Sequence, residues 1–497
     1  MVTMRPISLR RRDLIWVPMI ARAQDRARLT HGIQIGDVTD GRATIWGRSD
    51  RTEEMVVSVN GRTFRSAGPA TAGTGFTART ELSGLTPDAE VEVAVSFGAG
   101  DPVSGKFKTA PAQSSRRDVR FLWSGDTCGQ GYGINPEIGG MTIYETMRKL
   151  APDFFIHSGD TIYADNPIPA GMRLPDGSIW RNLTTEATSK VAETLDEFRG
   201  RYLYNLMDEN VRRFNAEVPQ IWQWDDHEVM NNWAPGKDLQ ENPYYKEKNI
   251  ATLAARGRQA FLEHSPMRLG ATIFRRIPYG PSLDVFVIDM RTYRAANSTN
   301  RQTKAGAETA FLGAAQLKWL ATELTKSKAT WKVIASDMPL SLLIADGRTA
   351  EGDFMWEAVG NGDHGAPSGR EFEIADLLRS IKRNRVTGVV WVTADVHYTA
   401  AHYYDPAKAR FTDFDPFWEF VSGPLNSGTF GPGQLDGTFG PQVVFAKAPP
   451  RGQGNLPPSA GFQFFGDIKI SGKTSELTVI LRDSSGAALY TKTLTPA

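Results

Sequence analysis

The chain has 497 residues, with 57 basic against 56 acidic side chains and a formal net charge of +1. That length exceeds one ordinary hydrophobic core and asks for two or three domains. The balanced charge leaves no global field to draw the chain to nucleic acid or an anionic membrane. A single cysteine, Cys128, excludes an internal disulfide. No apolar run approaches the roughly 18 residues of a transmembrane helix.

Within residues 1–30, Arg10, Arg11 and Arg12 precede an apolar run at 14–20, which is followed by Ala21, Arg22 and Ala23. This resembles a compressed twin-arginine signal with a small-residue cleavage site after Ala23. It implies the Tat export machinery as a partner and a periplasmic or secreted protein. Pro18 and the shortness of the apolar run leave a second reading open, a disordered basic amino terminus.

Residues 31–112 change character. Short alternating runs such as Ala43, Ile45 and Val57, Val59 are separated by Gly, Asn and Asp turns, which predicts an all-β unit. In residues 84–97 a Gly-Leu-Thr-Pro turn leads into Val91, Val93, Val95 and Phe97, with Glu90 and Glu92 on the other face. The stretch is similar to the penultimate strand of a fibronectin type III-like sandwich, with Val93 where an aromatic is expected. It carries no catalytic cluster, and 110–117 reads as a linker.

Residues 118–497 alternate apolar strands with helical segments, the pattern of an α/β layered domain. Strands are expected at 119–123, 154–158, 219–224, 284–289, 331–336 and 387–394. The residues after them are Asp126; Asp160; Asp225, Asp226 and His227; Arg291; Asp337; and Asp395 with His397. Parallel strands of one sheet would gather these side chains along one rim, and such a crowd of carboxylates is costly unless cations neutralise it. Taken singly, each has a bland reading: Asp126 as a turn residue, His227 as a satisfied core histidine, Tyr163 as a core aromatic. Together they supply what a site for two adjacent cations needs, a bridging carboxylate, flanking ligands and an acid for a departing oxygen.

The order Asp126-Thr-Cys128, Gly159-Asp-Thr-Ile-Tyr163, Trp224-Asp-Asp-His-Glu228, Ile288-Asp-Met-Arg291 and Ala394-Asp-Val-His397 resembles the alkaline phosphatase D (PhoD-like) branch of the calcineurin-like metallophosphoesterases. The resemblance implies a sheet sandwich with flanking helices behind the small amino-terminal β-domain. It also implies metal-dependent hydrolysis of phosphate monoesters, with phosphodiesters as further substrates. The metal ligands it implies are Asp126, Asp160 as the bridge, Tyr163, Asp226, Asp337, Asp395 and His397, and His227 becomes the acid or phosphate donor. Cys128 stands at the superfamily's first-motif histidine, whereas the PhoD-like cysteine ligand falls on Asp126, so Asp126 is preferred. The tyrosine implies Fe³⁺, and oxygen-rich ligands imply Ca²⁺ for the second ion, with Zn²⁺ or Mn²⁺ as alternatives. The expected reaction is in-line attack on phosphorus by a hydroxide held between the ions. Arg291 either clamps a phosphoryl oxygen or pairs with a nearby carboxylate.

Residues 161–201 read as a loop roofing the site, 346–369 with His364 as a second rim, and 422–460 as a Gly/Pro-rich cover. Helices are expected at about 194–214, 246–264, 307–327 and 370–383, and a carboxyl-terminal hairpin at the edge of the main sheet. Two further functional readings stay open: a phospholipase D-like phosphodiesterase acting on lipid headgroups, and a non-catalytic surface-binding protein.

Overall fold

A computed structural model describes residues 26–270 and 272–496; the arginine-rich segment at 10–23 lies outside them. Two sheets dominate. Val119–Ser124, Phe154–Ser158 and Gln220–Gln223 pair in parallel at the centre of one, a nine-stranded sheet. Leu283–Val287, Trp331–Ala335 and Val389–Thr393 do the same in the other, a seven-stranded sheet. The acidic strand ends therefore come from two sheets, the sandwich that the family resemblance implies, where the strand pattern taken by itself suggests one sheet. Strand periodicity reveals that a segment is buried on both faces but carries no label for its partner.

Alternation along each strand sorts the side chains into layers. Phe121, Trp123, Phe154 and Ile156 face Val285, Val287, Val333, Val390 and Val392 in the dry space between the sheets. Leu122 and Phe155 point the other way, onto Tyr144 and Met147 of the helix Thr142–Lys149 and Phe214 of the helix Glu209–Glu217. Across the molecule Phe286, Ile334 and Trp391 meet Leu320 of Ala314–Lys326 and Leu377 of Glu371–Arg383. The result is a helix–sheet–sheet–helix sandwich. The carboxyl-terminal hairpin, Leu477–Asp483 and Ala488–Leu494, forms one edge of the larger sheet.

Several expected elements differ. The helix at 194–214 is two, Leu195–Asn205 and Glu209–Glu217, because Asp208 caps the second by accepting the N–H groups of Asn210 and Val211. Thr142–Lys149, too short to show its period, is an additional helix. The Gly/Pro-rich cover contains a strand, Pro441–Lys447, paired with Thr399–Tyr404.

The amino-terminal residues form three strands (Leu29–Gly36, Arg42–Ser49, Thr77–Ser83) against four (Arg62–Arg65, Met55–Val59, Glu90–Phe97, Val103–Lys108) over a core of Ile33, Ile35, Ile45, Val57, Val93 and Val95. The three strands are the last three of the nine-stranded sheet, joined to its centre where Gly36 pairs in parallel with Gln220. Gly36 is required there, since a Cβ would lie 2.3 Å from Pro266 O. Buried Asp37 accepts from Arg275 at 2.8 Å, Gln34 Nε2 donates to His264 O at 2.9 Å, and Trp46 Nε1 donates to Glu263 O at 2.8 Å.

Candidate active site

The turns that leave the central strands converge at the same end of both sheets. Gly159 has φ 100°, and a Cβ on it would stand 2.4 Å from Asp225 Cβ, so glycine lets the two turns touch. Asp126, Asp160, Asp395 and His397 all hold the left-handed region, at φ 65°, 51°, 69° and 59°. Strained backbone kept at four adjacent functional candidates is characteristic of a site over-determined by its surroundings. One brace is Glu228, fully buried, whose carboxylate accepts the N–H groups of Asp160 (3.1 Å), Thr161 (2.7 Å) and Asp225 (2.8 Å).

Three sets of side chains bring ligand atoms within 4.8 Å of one another: Asp126, Asp160 and His397; Asp160, Asp226 and His227; and Asp225, Asp226 and Asp395. Asp160 belongs to the first two. The buried oxygens Asp126 Oδ1 and Oδ2, Asp225 Oδ2, Asp226 Oδ1 and Asp395 Oδ2 have no hydrogen-bond partner among the described residues. Unsatisfied carboxylate oxygens in a dry pocket are what hard cations complete, so the residues fit a metal centre.

The electrostatics agree. Burial, with Asp226 and Glu228 adding to it against His227, pushes Asp126 up to about 8. Burial and neighbouring carboxylates likewise drive Asp160 and Asp395 well above the ordinary range. Asp226 stays below it: burial opposes its charge, but His227 and Arg291 favour it. Burial lowers His397 to about 4, which keeps its imidazole neutral, as a ligand must be. Its Nδ1 is bonded to Gly428 O, and Nε2 faces Tyr163 Oη at 2.8 Å and Asp126 Oδ1 at 3.5 Å.

Tyr163, 1% exposed, is wedged in place. Its ring lies 4.2 Å from that of His227, and a Cβ on Gly129 would come within 2.3 Å of it. His227 donates its backbone N–H to Asp160 Oδ1 at 3.1 Å, and its Nδ1 is 2.6 Å from Asp165 Oδ1. Burial alone would discharge this imidazole, but Asp165, Asp226 and Asp160 raise it well above the ordinary histidine range.

Asp337 and Arg291 sit one layer deeper. Arg291 is fully buried and pairs with Asp225 at 2.5 Å, with Asp337 at 3.4 Å and with Glu357. Asp337 joins none of the three ligand sets; its Oδ1 accepts the Met338 N–H at 2.7 Å. Cys128 turns into the core, Sγ 3.4 Å from Met141 Sδ, with burial pushing its thiol up. His364 accepts the Gly437 N–H at 2.9 Å in an exposed loop. The sequence alone does not single out Asp165, five residues beyond Asp160 in a stretch that reads as a lid, and it gives no role to Glu228 or to the ligand capacity of Asp225. The neighbouring Asp-His pair at 226–227 is the available signal.

A two-sheet α/β sandwich with a doubly acidic, histidine-bearing rim defines the metallophosphoesterase class of fold. The PhoD-like phosphatase family model matches residues 121–481, and the chain belongs to that family. It is 28% identical over 364 residues to alkaline phosphatase D of Bacillus subtilis, covering 70% of this chain and 58% of that one; the chain thus spans under two thirds of this relative's length. Among solved structures, one of PhoD superposes with a TM-score of 0.68 at 19% identity, covering 94% of this chain and 89% of the other. A purple acid phosphatase from yellow lupin seeds gives 0.55 at 13%, covering 94% and 74%.

Proposed function

We propose that the protein hydrolyses phosphate esters, monoesters first and diesters in addition, at a two-cation centre on this rim. The observation that carries the reading is the ring of buried, unpartnered carboxylate oxygens around Asp160. Asp126, Asp160, Tyr163 and His397 would hold Fe³⁺. Asp160, Asp226, Asp395 and, in place of Asp337, Asp225 would hold an oxygen-preferring ion such as Ca²⁺. When bound, the cations supply charge neutralisation for the phosphoryl oxygens and acidify water.

The chain's own residues do the rest. Asp165 holds Nδ1 of His227 and so presents Nε2 to the departing oxygen, to which it delivers a proton. Arg291, walled in by Asp225, Asp337 and Glu357, acts as an internal counter-charge instead of a substrate clamp. The arginine run at 10–12 supports export through the twin-arginine route to the periplasm or beyond; Arg11→Lys with Arg12→Lys should then retain the protein in the cytoplasm.

Metal analysis together with a visible spectrum tests the centre. Iron bound by the Tyr163 phenol should colour the protein, and Tyr163→Phe should bleach it. A colourless, iron-free protein that still hydrolyses phosphate esters would remove the iron assignment and keep the activity. Metal-loaded protein inert toward both ester classes would remove the activity.

A further inference from the structure

Most candidate ligands are shut in: Asp126 and Asp160 are 1% exposed and His397 4%. Asp395 and Val396 are the partly exposed members of their turn. Beyond His397 the ring of Phe430 stands 5.4 Å from the imidazole, tilted by 48°. Phe430 is 36% exposed, whereas Tyr163, the other aromatic against these imidazoles, is buried.

The ring is held, not trailing. Phe430 N donates to His397 O at 3.3 Å, and Leu343 N donates to Gln434 O at 3.0 Å further along the same loop. Gly454 backs it closely, since a Cβ there would come within 3.3 Å of Phe430 Cδ1. A phenyl ring offers no conventional hydrogen bond to a phosphoryl oxygen or a polyol hydroxyl. It gains when a flat apolar group covers it.

We propose that Phe430 is the leaving-group platform of this site, so that the preferred esters carry an aromatic or similarly flat apolar alcohol. This rests on the phosphate-ester reading above. Phosphate seated over the cations beside His397 would direct the remainder of the ester outward across the exposed ring, which determines specificity without touching the reacting atoms.

The metal-loaded full-length protein is titrated calorimetrically with phenylphosphonate and methylphosphonate and assayed on phenyl phosphate and glycerol 1-phosphate. Phe430→Ala should lower the phenyl-to-methyl affinity ratio, and the corresponding ratio of kcat/KM, by about three- to tenfold, mostly through KM. Phe430→Tyr should keep both ratios. If Phe430→Ala does not fold, Phe430→Leu, which keeps apolar bulk without a flat face, must show the same fall. Unchanged ratios with binding and turnover intact overturn the platform alone. Failure of the unsubstituted protein to bind either phosphonate overturns the phosphate-ester reading and the platform with it.

Discussion

Asp165 Oδ1 lies 2.6 Å from His227 Nδ1, and Asp165 Oδ2 accepts the backbone N–H of Asn231 at 3.0 Å. The carboxylate is thus held by the segment that follows the histidine, and the imidazole has one orientation.

The first expectation concerns that pair. After burial, which works the other way, Asp165 is the largest influence on His227, and it raises the proton affinity. Asp165→Asn should lower kcat by about a hundredfold. Because a proton donor is lost as pH rises through its pKa, the alkaline limb of the kcat/KM profile should move to lower pH. A pH–rate series on both proteins checks it; an unmoved limb would count against His227 as the acid.

A second expectation separates stability from function. Asp126 is raised to about 8 by burial and its neighbours, so in metal-free protein its charge opposes folding. That group costs nothing below the unfolded carboxyl pKa and progressively more as pH rises toward about 8. Asp126→Asn should therefore stabilise the chelated protein at neutral pH by up to a few kcal/mol, and destabilise the metal-loaded protein relative to its parent, on the order of the lost ligand. Thermal melts with and without chelator read the predicted change of sign.

Glu228 braces two turns through three backbone donors, at 3.1, 2.7 and 2.8 Å. Glu228→Gln replaces one acceptor oxygen with a donor facing an N–H group. A loss of about 2 kcal/mol follows from leaving buried donors unpaired. Metal stoichiometry by elemental analysis should fall as well, because Asp160 and Asp225 lose their fixed spacing. Full metal content at unchanged stability would show the brace to be dispensable.

Gly129 tests the tyrosine indirectly. A Cβ at 2.3 Å from the Tyr163 ring must displace it. If iron binds the Tyr163 phenol as proposed, Gly129→Ala should weaken or remove the resulting absorption although the tyrosine is present, and the spectrum decides.

Much of this centre is legible in the amino-acid sequence, for a physical reason. Strands buried on both faces, such as Phe154–Ser158, write a continuous apolar run, and the polar residue that ends it is where the chain leaves the sheet. Asp126, Asp160, Asp226 and His397 stand out in that way. Asp165 does not, because it lies inside a turn-rich stretch in which an acid is ordinary. Asp337 ends its strand as the others do, yet points to Arg291; strand ends specify an edge, not which side chain reaches the centre. The division into two sheets, and the pairing of Gly36 with Gln220, depend on partners far away in the chain, which local periodicity does not encode.

That last pairing has a consequence for how the molecule comes apart. The β-rich amino-terminal piece closes the flank of the strand Gln220–Gln223 through Gly36, with Asp37 and Arg275 locked behind it. Severing the chain at 110–117 would not free an independent enzyme. It would take Gly36 from Gln220 and leave buried Arg275 without its Asp37 counter-charge, so the two halves should melt in one transition.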